Sequence, residues 1–152
     1  MRAFLVVLMS LFCGAAIAQS VPDQSPEELV RFVYQHYVGK KSTEDSSFKW
    51  TEQPLADRLF EPTLARAVVR AGKSKDMVID ADPFVSGQDF EIASYDLKTE
   101  SKTAERARII ASFKNFDQNV TVQYDLVRAK SGWRIQDVTS SGTSLRKMVK
   151  AR

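Results

Sequence analysis

The chain is 152 residues long, with 43% apolar residues, 27% charged residues and a formal net charge of +3. That composition is ordinary for a soluble globular domain and excludes the disordered, collagen-like and low-complexity classes. The length suits one domain. The mild charge is spread along the chain, with small clusters at Lys40-Lys41 and Arg146-Lys147, and lacks the concentrated stripe of a nucleic-acid binder.

Residues 1–18 read as a segment outside the fold. Arg2 supplies a short positive start, an apolar run extends from Ala3 to Cys13, and small residues end in Ala16-Ile17-Ala18 before Gln19. This is the pattern of a secretory signal peptide cut between Ala18 and Gln19. The apolar run is shorter than the roughly 20 residues that cross a bilayer. The expectation is an exported bacterial protein, periplasmic or secreted, with no stable membrane anchor after cleavage. The single cysteine, Cys13, lies inside this segment, and Ser10 and Phe12 stand where a lipidation motif wants leucine and a small residue. Residues 19–152 are then a single domain without cysteine, held by its packed core rather than by disulfides.

Ser25-Pro26-Glu27-Glu28 announces the first helix, with Ser25 as N-cap, Pro26 at the first helical position and Glu28 closing a capping box. Leu29, Val30, Phe32, Val33, Tyr34 and Tyr37 form an apolar arc, so the spacing predicts a helix over 26–38, ended by Gly39. Residues 39–53 are polar and aperiodic, with Phe48 and Trp50 as anchors onto the core. Pro62 divides the next helical stretch into a short helix over 54–60 and a second over 62–71, with Leu64, Val68 and Ala71 inward and Arg66 and Arg70 outward. The period then changes to two. Alternation predicts strands over 92–99, 106–114, 119–128 and 133–138, joined by short polar connectors, and a last helix over 144–150. Helices followed by an antiparallel meander make an α+β fold: N-terminal helices on a curved sheet of about four strands with one apolar face.

Most catalytic constellations are missing. With His36 as the sole histidine and no cysteine after residue 18, a Cys/His zinc cluster or a His-x-x-x-His pair cannot be built within the chain. His36 reads as a residue flanking the end of its helix, without the partners a triad requires. No P-loop, dinucleotide glycine fingerprint or EF-hand loop occurs, so no cofactor and no metal are implied. Asp80, Asp82, Asp89 and Glu91 form a local acidic group. Asp82 precedes Pro83, which favours extended backbone there, and its side chain suits capping of the following turn, with Phe84 as the core anchor.

Several segments carry a resemblance. Ser25-Pro26-Glu27-Glu28, Asp82-Pro83-Phe84 before Gln88-Asp89, and Gly132-Trp133-Arg134-Ile135-Gln136-Asp137-Val138 followed by Ser144-Leu145-Arg146 together resemble a family of exported bacterial proteins of unknown function. That family is similar in architecture to the nuclear-transport-factor-two-like, or cone-shaped cystatin-like, fold. The resemblance implies a curved sheet closed by helices. Enzymes of that architecture include ketosteroid isomerases, many other members only bind, and some exported relatives resemble immunity proteins against type VI secretion amidases. In such a cone the aromatic residues Tyr34, Tyr37, Phe84, Tyr95, Tyr124 and Trp133 either line a pocket, with Asp82 or Asp137 as polar partner, or fill the core. The expected site residues are Tyr34, Tyr37, Asp82, Phe84, Tyr124 and Trp133. The expected function is a small non-catalytic binding domain, for a protein partner or a small apolar ligand, with an immunity or inhibitor protein as one form. The alternatives are a cone-pocket enzyme of isomerase or hydratase type and a structural accessory of the envelope.

Overall fold

The computed structural model describes residues 25–42, 48–76 and 78–150. The expected signal segment, with Cys13 and the Ala18–Gln19 bond, lies outside these residues. The order is α1 (Pro26–Tyr34), α2 (Leu55–Leu59), α3 (Pro62–Gly72), β1 (Tyr95–Lys102), β2 (Arg106–Asn115), β3 (Gln118–Ala129), β4 (Gly132–Ser140), β5 (Thr143–Ser144) and α4 (Leu145–Lys150). The fold is α+β, with helices on one side of a curved antiparallel sheet.

Helix α1 starts where its cap places it: Ser25 Oγ accepts from the Glu28 amide at 3.1 Å. The reciprocal half of the expected capping box is not made, and Glu28 Oε2 is buried without a hydrogen-bond partner. The helix closes at Tyr34, earlier than expected. The amides of His36 and Tyr37 bond three residues back, to Val33 and Tyr34, a tightening typical of a last turn. Gly39 then reverses the chain at φ +73° and donates its amide to the Ile92 carbonyl at 2.9 Å.

The sheet is a meander in the order β1-β2-β3-β4-β5, antiparallel throughout. Strand β1 starts later than the alternation suggested, because Ile92 instead bridges Val38 beside the end of α1. The two-residue β5 is an addition to the four expected strands. Ala107, Ile109, Ala111 and Phe113 of β2, and Val122, Tyr124 and Leu126 of β3, point into the core as their parity requires. In β4 the register slips between Asp125 and Leu126 of the facing strand, which leaves Gln136 as the extra residue of a bulge. Trp133 and Ile135 lie on the inner side of that bulge and Val138 beyond it, and all three are buried. The Gln136 carbonyl accepts from the Arg146 guanidinium at 2.7 Å, which fixes α4 against the bulge.

Candidate ligand-binding cleft

The loop at residues 82–87 is set by its own side chain. Pro83 holds Asp82 extended, and Asp82 Oδ1 accepts from the Phe84 amide at 2.9 Å, the turn cap that the sequence suggests. The backbones of Asp82 and Gly87 pair across the turn, and Ser86 adopts φ +58° to close it. Asn115, buried at the end of β2, ties this connector to the sheet. Its amide donates to the carbonyls of Val85 at 3.2 Å and Asp89 at 3.1 Å, and its oxygen accepts from the Glu91 amide at 2.9 Å.

Phe84 drops from this loop into the centre of the core at 0% exposure. Its ring stacks on Tyr124 at 6.1 Å between centroids and on Phe60 at 6.3 Å, and meets the edge of Trp50 at 5.3 Å. Tyr34 donates to the Phe84 carbonyl, and Tyr124 donates to Tyr34, each at 3.1 Å. These buried phenols have complete hydrogen bonds within the protein, and burial holds their ionisation far above the usual tyrosine range.

The six expected site residues therefore divide. Tyr34, Tyr124 and Phe84 are sealed in the core, and Tyr37 and Trp133 are 3% exposed. They are packing residues, buried on the inner side of the sheet where an open cone would have a pocket. The aromatics at sheet and helix spacing simply interdigitate. Asp82 alone faces a concavity. His36 stacks on Phe48 at 4.2 Å, and Asp137 is taken up structurally by the amides of Val138 and Arg146 and by the Ser144 hydroxyl.

The concavity is a cleft of about 560 Å³. Its walls are the Trp50-Thr51 loop, the end of α3 at Ala71, Gly72 and Ser74, and the segment from Val78 to Asp82, with Gln88 at the rim. Gly72 is required for this closeness: a Cβ there would lie 2.8 Å from the Thr51 Cβ. Gln88 Nε2 donates to the Asp80 carbonyl at 3.0 Å and steadies the far wall. Apart from Asp82 and Asp80, which belong to the local acidic group, none of these positions stood out in the sequence as a site residue, because they come from three separate segments without a shared motif. Trp50 stood out only as an anchor, and it does pack on Phe60 and Phe84.

At the base of the cleft, Tyr37 donates to Asp82 Oδ2 at 2.6 Å. Removal from water pushes the Asp82 carboxyl up to about 6, against the pull of the bonds from Tyr37 and the Phe84 amide. Burial, followed by the neighbouring Asp82 charge, pushes Tyr37 well above its ordinary value. Asp82 thus combines a raised carboxyl with an orientation fixed by two donors, the Phe84 amide and Tyr37. Among the described residues no group of three or more histidine, cysteine or carboxylate side chains is placed to hold a metal ion. No described helix is long and apolar enough to cross a membrane.

No protein-family model and no curated protein matches the chain. Among solved structures, the chain is similar to the phospholipid-binding protein from Ralstonia solanacearum, a structure in complex with a phospholipid, at 16% identity and a TM-score of 0.37. The likeness covers 60% of this chain and 50% of that one, so the chain spans about half the length of that relative. A likeness of this extent transfers no ligand.

Proposed function

We propose that the protein is an exported, non-catalytic binding domain that holds a small ligand in the cleft between Trp50, the end of α3 and Asp82. The observation that carries this reading is the coincidence of the cleft, about 560 Å³ in volume, with the chain's oriented and partly buried carboxyl group. Concave sites of a few hundred Å³ with apolar walls and a few fixed polar groups are the usual form of small-molecule sites. Here Trp50, Ala71, Val78, Ile79 and Ala81 supply apolar wall, and Asp82 supplies the fixed polar group. A protein partner is less well supported, because Phe116 is the sole large apolar residue exposed among the described residues and forms no patch.

Trp50 makes the reading testable. The chain has two tryptophans, so Trp133→Phe leaves Trp50 as the single reporter at the cleft. A panel of small amines, carboxylic acids and neutral apolar compounds should contain members that shift Trp50 emission and raise the melting temperature saturably. Asp82→Ala should abolish the response to those members. A panel that leaves both signals unchanged, or a response that survives Asp82→Ala, removes the cleft as the site.

One observation favours a second reading. A carboxyl group pushed up to about 6 and facing a cleft is suited to general acid or base work. That reading requires a ligand that is turned over, with Asp82→Asn retaining binding and losing turnover. The binding-domain reading requires that bound ligands are recovered unchanged.

A further inference from the structure

Helix α3 carries a second concavity on the side away from the core. Arg66, Val69, Arg70 and Lys73, together with Gln53 and Ser74, line a hollow of about 530 Å³. It contains three cations and no carboxylate. Several cations near the sheet and loops are matched: Lys41 with Glu91, Lys49 with Glu52, Lys102 with Glu27, Arg108 with Asp125 and Glu100, and Arg146 with Glu61. Among the described residues Arg66, Arg70 and Lys73 take part in no ion pair and no hydrogen bond from their side chains.

This placement weakens the helix locally. Arg66 and Arg70 stand four residues apart, a spacing at which like charges repel on a helix surface. The C-terminal end of the helix dipole favours Arg70 and Lys73, but Arg66 lies in the middle of α3 and gains little from it. The stem between them is also partly apolar, because Val69 is half-buried at the floor of the hollow. The helix itself is firmly held. Its inner face is buried from Leu64 to Ala71, and Glu61 caps its first turn. The three cations are therefore carried on a rigid element around a shallow apolar floor.

We propose that this hollow binds a phosphate-bearing anion through Arg66, Arg70 and Lys73. Two guanidinium forks match the paired oxygens of a phosphate, and a third cation suits a group that carries more than one negative charge, which a single carboxylate does not. Val69 gives an apolar contact for the body that carries the phosphate. The inference is independent of the cleft at Asp82, which shares with the hollow only Ser74.

The phosphate can come from a soluble ester or from a lipid headgroup, and one experiment separates the two. Calorimetric titration with phenyl phosphate and with inorganic phosphate, at fixed ionic strength, is run beside flotation with vesicles of phosphatidylglycerol and of phosphatidylcholine. The protein carrying both Arg66→Gln and Arg70→Gln serves as the control, with circular dichroism and melting temperature confirming its fold. The expected result is saturable phosphate binding that is at least about tenfold weaker in the double variant and falls with added salt. Binding to phenyl phosphate without flotation assigns a soluble ester. Flotation on phosphatidylglycerol alone, lost in the double variant, assigns a lipid phosphate. Equal binding by the double variant, equal effects of chloride at the same ionic strength, or binding to an acidic peptide but not to any phosphate overturns the proposal. The Trp50 response to cleft ligands should be unchanged in the double variant, so failure here leaves the cleft reading standing.

Discussion

Asp82 joins the scaffold to the cleft, and both of its oxygens are already engaged, one by the Phe84 amide and one by Tyr37. Its carboxyl rises from 3.8 to about 6 on folding because burial disfavours the charge. A raised carboxyl means that the folded chain binds more protons than the unfolded chain between those two values. Its contribution to stability is therefore complete below the lower value and is lost as pH rises through the upper one. Asp82→Asn removes this dependence, and the amide can still accept from Phe84 while donating to the Tyr37 oxygen. The stability difference between variant and wild type should move in favour of the variant by about 2–3 kcal/mol between roughly pH 4 and pH 7. Urea titrations of both proteins across that range measure it, and a constant difference contradicts the burial of the charge. Phe84, two residues on, has no such latitude. Its ring lies between those of Tyr124 and Phe60, so Phe84→Ala should cost about 3–5 kcal/mol. A midpoint in urea close to that of wild type would show that the ring is not the centre of the core. The scaffold half of Asp82-Pro83-Phe84 was legible in the sequence, since a proline restricts its predecessor and an aspartate caps a turn. The cleft beside it was not, because its other walls come from the ends of distant elements that no local pattern connects.

At the scale of elements, the beginning of α3 shows what local rules see and miss. Pro62 at the first helical position was legible, whereas its cap, Glu61, is not among the usual capping residues. Glu61 accepts from the amides of Leu64 at 3.0 Å and Thr63 at 2.9 Å, and Arg146 of α4 donates to it at 2.6 Å. Its choice is tertiary: only a longer acidic side chain reaches both its own helix end and an arginine from the end of the chain. The same arginine binds the Gln136 carbonyl that the β4 bulge leaves outside the ladder. The alternation of β4 revealed a strand but not its bulge, and the two-residue β5 was too short to leave any period. Burial alone would raise the Glu61 carboxyl, but the Thr63 amide, Arg146 and the Leu64 amide outweigh it and hold it below the usual range. The stability it contributes is therefore present at neutral pH and is lost as pH falls through the acid range. Glu61→Ala should cost about 2 kcal/mol through the lost cap and pair. In a double-mutant cycle with Arg146→Ala the coupling should be about 1 kcal/mol. Additive losses would mean that the two side chains act separately.

At the scale of the molecule, the parts of the fold that were legible are those with long periods: α1, the division at Pro62, and the strands β2 and β3 with their inward faces. Together they were enough to place helices on an antiparallel sheet. The distribution of charge emerges only in three dimensions. A net charge of +3 conceals two neighbouring concavities of opposite character, one with Asp76, Asp80 and Asp82 on its walls and the other with Arg66, Arg70 and Lys73. They meet at Ser74 because α3 ends between them. Such a surface can be maintained without covalent help, since one buried core draws residues from α1, α2, α3, β2, β3 and β4, with Tyr95 and Leu97 of β1 packed against it. The only cysteine in the chain is Cys13, in the expected signal segment. The fate of that segment therefore has a chemical readout. Cleavage before Gln19 removes the thiol, so periplasmic protein should have the intact mass of residues 19–152, remain unlabelled by a maleimide after denaturation, and melt at the same temperature with or without a reductant. A cleavage-blocked precursor made with Ala18→Pro should take one label at Cys13. A periplasmic species that is labelled, or one whose mass includes a lipid on Cys13, would show that the segment is retained or anchored, and the reading of cleavage before Gln19 would fail with it.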